Sequence, residues 1–370
     1  MAPAIAHLET YRSVDYHTGG EPFRIVTELP VTVEGADVPA KRVFAMQSPE
    51  IERIRQILCH EPRGHADMYG GFVVEPDDEG AHLGVLFWHK DGFSTACGHG
   101  TIALGTWAIE SGLVAADPSG VTDVVIDVPS GRVTARVHTD AQEQVTGVDF
   151  INVPSYVLAS DVPVETSRGE LRVDVTFGGA IYAQLDAASA GLSVEPGAVD
   201  EIIALGREIK WLLNDTEYAK HPLDDRLSGI YGTIVFERLS DAPAGAAQDT
   251  EAGEASREAV PAGGTHPAAL RPHQRNAAVF ADGELDRSPC GSGTSARVAT
   301  LTAAGVLGEG QELLHSSIVG SQFTAVVLER TTVAGRDAVI PRVTGTAHRT
   351  GEHVFTVDPC DELVPGFVLR

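Results

Sequence analysis

Short apolar runs broken by glycine and proline turns predict many β-strands and only a few helices. Two strands are predicted on either side of a turn at residues 17–20, and a hairpin is predicted over residues 124–137 around the turn at 129–131. A further strand is predicted for IYGTIVFE, residues 230–237. This mixture is typical of α+β domains rather than of a doubly wound parallel sheet.

Helical periodicity predicts two amphipathic helices. Ser48-Pro49-Glu50 provides an N-cap and a first turn, after which Ile51, Ile54 and Leu58 share one face. A second helix is predicted over residues 199–213. Its apolar face is expected to consist of Ile202, Leu205, Ile209 and Leu212.

One pattern, C-G-x-G-T-x-A, occurs twice, as CGHGTIA at residues 97–103 and as CGSGTSA at residues 290–296. Each copy runs into an apolar segment that stops at a glycine, Gly112 or Gly305, as helices commonly do. The repeat predicts two related halves, each with one cysteine at a helix N-terminus.

A cysteine at a helix N-terminus lies beside unpaired N–H groups and the positive end of the helix dipole. These groups favour an anion, which can be a thiolate or a substrate carboxylate. The position therefore predicts a thiol pKa below the ordinary value of about 8.5. A buried cysteine at a tight turn is the simpler explanation of one copy, but two copies in the same setting favour a chemical role.

Domain organisation follows from the repeat and from the length of 370 residues, which suits two domains. Turn-forming residues at 152–170 predict the crossing between them. We expect an N-terminal α+β domain at 1–160, completed by residues 350–370, and a C-terminal α+β domain at 161–349. Residues 240–272, rich in Ala, Gly, Pro and acidic side chains, predict a mobile surface loop.

Composition narrows the classes of partner. A net charge of −25 and a pI near 4.8 argue against nucleic acid or an anionic membrane as partner. Four cysteines are too few for a disulfide scaffold in a chain of this size, so a reducing cytoplasm fits best. The first twenty residues lack a secretory pattern and no apolar run approaches about eighteen residues, so we expect a soluble, unexported protein.

With these motifs assembled, the chain resembles the proline racemase family over nearly its whole length outside residues 240–272. The resemblance is carried by HTGGEP (17–22), EPRGHADMYG (61–70), CGHGTIALG (97–105), GGAIYA (178–183) and DRSPCGSGTSAR (286–297). It implies the fold of diaminopimelate epimerase. In that fold two pseudo-symmetric α+β domains, each a curved, mostly antiparallel sheet around a central helix, enclose a site in the cleft between them.

The resemblance also implies a cofactor-independent, metal-free, two-base racemase or epimerase acting on proline or a hydroxyproline. Cys97 and Cys290 would serve as thiolate and thiol on opposite faces of the substrate Cα. Other family positions would bind the substrate. These are the backbone N–H groups of Gly98, His99, Gly291 and Ser292 at the carboxylate, and His99 and Asp286 at the ring nitrogen. A monomer or homodimer is expected.

A second branch of the family, the trans-3-hydroxy-L-proline dehydratases, is the alternative. The strand at 227–236, which lacks a histidine typical of 4-hydroxyproline epimerases, and the GSG at 291–293 resemble that branch. Dehydratases of the family usually have threonine where this chain has Cys290. A dehydratase needs only one base at Cα, so the cysteine pair favours racemisation or epimerisation.

Three other classes are weaker interpretations. A zinc site could be imagined from Cys97, His99, His89 and His82. Their spacing lacks the second ligand pair of a structural zinc site. A pyridoxal-phosphate enzyme needs a Schiff-base lysine, and none of the lysines lies in a recognisable motif. A non-catalytic protein that binds amino acids in the same fold would hold proline without exchanging its α-proton.

Overall fold

A computed structural model describes residues 8–243 and 270–369 of the protein. The first half of the described chain contains eight strands and three helices. In chain order these are β1 (Glu9–Thr18), β2 (Glu21–Val26), α1 (Val38–Gln47), α2 (Pro49–Cys59), β3 (Gly70–Val74), β4 (Leu83–His89), β5 (Gly92–Phe93), α3 (Gly98–Glu110), β6 (Val121–Val128), β7 (Gly131–Thr139) and β8 (Val145–Ile151).

The second half contains twelve strands, two α-helices and short 3₁₀ turns at Ala187–Ala190, Pro196–Ala198, Glu217–Ala219 and Asp225–Leu227. Its elements are β9 (Ser155–Thr166), β10 (Gly169–Phe177), β11 (Ile181–Asp186), α4 (Val199–Asn214), β12 (Ile230–Arg238), β13 (Ala242–Pro243), β14 (Leu270–Arg271), β15 (His273–Phe280), β16 (Glu284–Leu285), α5 (Gly291–Ala303), β17 (Leu313–Ser317), β18 (Gln322–Val333), β19 (Arg336–Gly345) and β20 (Ala347–Val357).

Each half wraps strands around one buried helix. Helix α3 packs against β1, β2, β6, β7, β8 and β20, and α5 packs against β9, β10, β11, β18 and β19. Residues 98–108 of α3 and 291–302 of α5 are all buried, which suits helices with small or apolar residues on every side. The molecule is therefore a two-domain α+β protein with a helix at the centre of each domain, as predicted.

Most strand pairs are antiparallel. The parallel pairs among the described strands are β2–β3, β4–β6, β11–β12 and β15–β17. Strand β20 returns to the start of the chain and pairs antiparallel with β1 over nearly its whole length. Strand β19 pairs with both β8 and β9, so the two halves share a continuous hydrogen-bonded connection. The domain limits themselves stay a prediction.

The predicted hairpins and helices form, with two differences. Ser48 caps α2 by accepting the N–H of Ile51, as predicted. In α4, however, Leu212 is 45% exposed and Leu213 is buried in its place. Leu213 lies four residues after the buried Ile209 and so faces the core more directly than Leu212 does. Helix α1, capped by Asp37, was not predicted.

Two predicted irregular segments also differ from expectation. Residues 155–166, within the stretch expected to be interrupted by turns, form the long strand β9 paired with β10. Most of the predicted mobile loop at 240–272 lies outside the described residues, and its two ends pair as β13 and β14. None of the helices in the described ranges combines the length and apolar character needed to cross a bilayer.

Candidate active site

The two repeated motifs meet where the domains face each other. Cys97 is the N-cap of α3 and Cys290 is the N-cap of α5, as predicted. The helices approach so closely that a Cβ added to Gly98 would lie 2.6 Å from the Cα of Gly291. Only glycine permits this approach. The glycine after each cysteine therefore brings the two helix N-termini into direct contact.

Cys97 has ordinary extended backbone and a well-defined hydrogen bond. Its φ is −153°, and its Sγ accepts the N–H of Gly100 at 3.2 Å. Both ring nitrogens of His99 lie 3.5 Å from the same sulfur. The residue is only 4% exposed. This buried thiol is thus in contact with one helix amide and one imidazole.

Cys290 has a strained backbone instead. Its φ of 63° lies in the left-handed region, which costs a residue with a side chain about 1–3 kcal/mol. Its side chain makes no capping hydrogen bond. The phenol oxygen of Tyr182 lies 3.8 Å from its Sγ and 2.8 Å from the Oγ of Ser292. This thiol therefore has a phenol as its neighbour where Cys97 has an imidazole.

A buried network holds the strained turn. The side-chain amide of Asn276 donates to the carbonyl of Pro289 at 2.8 Å, and the hydroxyl of Thr294 donates to the same carbonyl at 3.1 Å. Nδ1 of His315 lies 2.8 Å from the Thr294 oxygen, and the N–H of Cys290 donates to Ser288 Oγ. These contacts hold Pro289, the residue before Cys290, in place. They thereby also hold the strained backbone of Cys290.

The electrostatics of the thiols differ from the expectation drawn from the helix N-termini. Burial raises the pKa of Cys97 well above its usual value, and the Gly100 N–H opposes this rise only in part. Burial also raises the pKa of Cys290, and Asp286 raises it further. The prediction of a lowered thiol pKa is therefore wrong for this structure, because loss of solvent outweighs the helix amides.

His99 and Asp286 lie together beside the thiols. His99 Nδ1 is 3.8 Å from Asp286 Oδ2, and the Tyr69 ring packs edge-on against the imidazole at 4.9 Å. Burial lowers the pKa of His99 to about 3, so the ring is neutral at physiological pH. Burial raises the pKa of Asp286, whose Oδ1 accepts the N–H of Ser288. All seven predicted site residues are thus buried, six of them at the two helix starts and Asp286 in the loop that leads to α5.

Sequence reasoning missed two buried polar neighbours of this cluster. Tyr182 belongs to the GGAIYA motif, which received no role. Glu21 belongs to HTGGEP and accepts the N–H of Arg287 at 2.7 Å, while burial and nearby Asp286 raise its pKa. Both residues lie within recognised motifs. Nothing in the spacing of those motifs indicated that Tyr182 would face Cys290 or that Glu21 would lie near Asp286.

The zinc interpretation finds no geometric support in the described part of the chain. Cys97 and His99 are in contact, but His82 and His89 do not join them as a group of metal ligands, and the one group there with metal-ligand spacing is His89, Asp91 and Glu284. The ammonium of Lys90 already lies 2.6 Å from Asp91 and 4.0 Å from Glu284. The ammonium group of Lys90 therefore already occupies the place beside these carboxylates that a metal ion would need.

Comparison with known proteins identifies the family of this chain. The family model described as proline racemase matches residues 13–271 and 258–368. A 3-hydroxyproline 2-epimerase from Burkholderia multivorans is 41% identical over 97% of this chain and 98% of its own. A trans-3-hydroxy-L-proline dehydratase from Bacillus cereus is 39% identical over the same shares of the two chains.

A solved structure confirms the predicted fold. The hydroxyproline epimerase from Agrobacterium vitis, with bound trans-4-hydroxy-L-proline, superposes with a TM-score of 0.82 at 29% identity. The match covers 97% of this chain and 96% of the epimerase. The pair of pseudo-symmetric domains of diaminopimelate-epimerase type is therefore the fold of this protein, and the chain belongs to the proline racemase family.

Proposed function

We propose that this protein is a cofactor-independent epimerase or racemase that inverts the Cα of a hydroxyproline or proline with Cys97 and Cys290 as its two bases. The observation that carries the proposal is the contact between the two cysteine-capped helices. It brings the first turns of two helices, each capped by a buried thiol, into direct contact. Such an arrangement suits removal of a proton from one face of Cα and delivery to the other.

In each turnover one cysteine acts as thiolate and removes the Cα proton, while the other donates its S–H proton to the opposite face. The reverse reaction exchanges these roles. Because burial raises the pKa of both thiols, the thiolate needs local stabilisation. Helix amides, and the positive ring nitrogen of a bound amino acid, supply it at the time of reaction.

The carbanion is stabilised as its charge spreads onto the substrate carboxylate. The first N–H groups of α3 and α5, on Gly98, His99, Gly291 and Ser292, lack partners within their helices and would donate to this carboxylate where the two helices meet. These local donors matter because the net charge of −25 repels an anionic substrate at long range. Asp286 would pair with the ring nitrogen, and that pairing would keep its carboxylate charged beside neutral His99.

Substrate choice within the family follows from the relatives. Similar proteins include six named trans-3-hydroxy-L-proline dehydratase and one named 3-hydroxyproline 2-epimerase, so 3-hydroxyproline is the first substrate to test. Dehydration of trans-3-hydroxy-L-proline is the second candidate function. It would need one thiol at Cα and loss of the 3-hydroxyl, and it would leave the second thiol without a role at the far face.

Proton NMR in deuterium oxide separates these reactions. The enzyme is incubated separately with trans-3-hydroxy-L-proline, trans-4-hydroxy-L-proline and L-proline. We expect loss of the Cα signal together with appearance of the C2 epimer, most rapidly for the 3-hydroxy compound. A pyrroline product from that compound alone would establish the dehydratase instead. Binding without any exchange at Cα would overturn both.

Expectations about location, assembly and domain limits accompany this proposal. Reaction through free thiols requires a reducing environment, so we place the protein in the cytoplasm. The family resemblance suggests a monomer or homodimer. Pairing of β20 with β1 supports assigning residues 350–370 to the N-terminal domain, with the limits 1–160 and 161–349 given above.

A further inference from the structure

Tyr182 places a buried phenol hydroxyl beside the sulfur of Cys290, and the proposed two-base mechanism gives this hydroxyl no role. It lies on β11, is fully buried, and belongs to the GGAIYA motif. Its phenol oxygen is 2.8 Å from Ser292 Oγ and 3.8 Å from Cys290 Sγ. The longer distance is within the range of a hydrogen bond to sulfur, which is a larger acceptor than oxygen.

The glycines of the same motif explain how Tyr182 reaches this place. A Cβ on Gly178 would lie 2.5 Å from the carbonyl of Ser292, so the turn packs directly on the first turn of α5. Gly179 has a φ of +96°, and its carbonyl accepts the hydroxyl of Thr95 from the other domain at 2.9 Å. The start of β11, and with it the phenol, is therefore held against Cys290 by both domains.

We propose that Tyr182 is the hydrogen-bond donor that stabilises the thiolate of Cys290 when that residue acts as the base. Ser292 can donate its hydroxyl hydrogen to the phenol oxygen, which leaves the phenol hydrogen free to point at the sulfur. Such a series of hydrogen bonds, from Ser292 through Tyr182 to Cys290, is polarised towards the negative charge of the thiolate. For its catalytic meaning the inference rests on the proposed two-cysteine function.

Cys290 is faced by groups that disfavour its thiolate and by groups that favour it. Asp286, from the loop after β16, disfavours the thiolate. The phenol of Tyr182 favours it, together with the amide of Gly293. Burial keeps the pKa of Tyr182 well above its usual value, so the phenol retains the hydrogen that it donates.

The test is the pH profile of iodoacetamide alkylation at Cys290 in Tyr182→Phe, followed by mass spectrometry of the cysteine peptides. We expect the Cys290 midpoint to rise by about one pH unit, which makes alkylation roughly tenfold slower at a fixed pH below it. Cys97 in the same sample is the internal reference and should keep its midpoint. Tyr156→Phe is the matched control, because it removes a buried phenol that contacts His221 rather than a cysteine.

An unchanged Cys290 midpoint in Tyr182→Phe would overturn the inference, and so would an equal shift at Cys97 or in Tyr156→Phe. A second variant keeps the test decisive if the phenylalanine protein does not fold. Insertion of 3,5-difluorotyrosine at position 182 preserves the ring and makes a stronger donor, so the Cys290 midpoint should fall. Alkylation needs no turnover. Failure of the two-base function would therefore appear in the NMR assay alone, with the Cys290 shift intact.

Discussion

Helices α3 and α5 begin with the same residue pattern, yet their cysteines are held in different ways. Cys97 has a relaxed, extended backbone, and a helix amide donates to its sulfur at 3.2 Å. Cys290 has a φ of 63° and makes no capping hydrogen bond. Its backbone is held by Asn276 and Thr294 through the preceding carbonyl.

The difference shows that a duplicated motif need not duplicate its chemistry. The proposed inversion needs an acid–base group on each face of Cα, and we assign these roles to the cysteines at the starts of the two helices. The side chain two residues after each cysteine also differs, a neutral imidazole at His99 and a hydroxyl at Ser292. Each thiol therefore has a different side-chain neighbour in addition to a helix amide, and the two can be perturbed separately.

The largest expected effect comes from removing either thiol. Cys97→Ser and Cys290→Ser should each lower inversion by roughly 10³-fold or more, because each removes one acid–base group. Each variant should still exchange the α-proton of one stereoisomer with deuterium, and the two variants should act on opposite isomers. Proton NMR of each pure isomer in deuterium oxide measures this exchange.

Cys360→Ser is the control for that pair, since Cys360 is exposed and far in sequence from both motifs. It should invert the substrate at the rate of the unmodified protein. Exchange of the same isomer by both site variants would contradict the assignment of one cysteine to each face.

The contact between the helix starts is the next most sensitive feature. Gly98→Ala and Gly291→Ala each place a methyl group within 2.7 Å of the other helix, so the helices must separate. We expect inversion to fall about a hundredfold, the loss that a displacement near 1 Å can cause. Initial rates, with circular dichroism to verify folding, measure the effect.

Gly197→Ala is the matched control for these glycines, because nothing lies within 4 Å of its added Cβ and its φ is not positive. Its rate should be unchanged. Full activity in Gly98→Ala would show that the approach of the two helices is not needed for catalysis.

Protonation of His315 offers a pH-dependent test of the network behind Cys290. Burial lowers the pKa of His315 to about 3, whereas the unfolded value is about 6.5. Below pH 6.5 the unfolded chain takes up a proton that the folded chain refuses, so this histidine lowers the free energy of unfolding by about 1.4 kcal/mol per pH unit. His315→Gln should remove that slope.

Urea unfolding from pH 4 to pH 8 checks this prediction. The difference in unfolding free energy between the variant and the unmodified protein should be constant above pH 7, where His315 is neutral in both states. It should change steadily below pH 6. A difference that stays constant across the whole range would contradict a buried, neutral His315.

The smallest expected effect isolates the strained backbone. Cys→Ala and Cys→Gly variants are compared at positions 97 and 290, both of which are helix N-caps. The general preference of N-caps for glycine over alanine is shared by the two sites. The gain from alanine to glycine should be greater at 290 by about 1 kcal/mol, because glycine relieves the left-handed φ. Equal gains in chemical denaturation would argue against strain at Cys290.

Local signals were sufficient for the helix starts, the turns and the family. A cysteine followed by glycines and an apolar run indicated the N-termini of α3 and α5, and their stops at Gly112 and Gly305 do have positive φ. The hairpin at residues 121–139 and the Ser48 cap also formed where expected. These features depend on residues within a few positions of one another, so a short window contains the physics that produces them.

Contacts between residues far apart in the chain, and the burial of each side chain, could not be predicted from such short windows of sequence. The approach of Gly98 to Gly291, the phenol of Tyr182 beside Cys290 and the pairing of β20 with β1 join residues that are far apart in the chain. The pKa of both thiols is also raised, opposite to the prediction from the helix N-termini. A helix N-terminus acts through a few neighbouring amides, whereas burial depends on everything that surrounds the sulfur, and here burial has the greater effect.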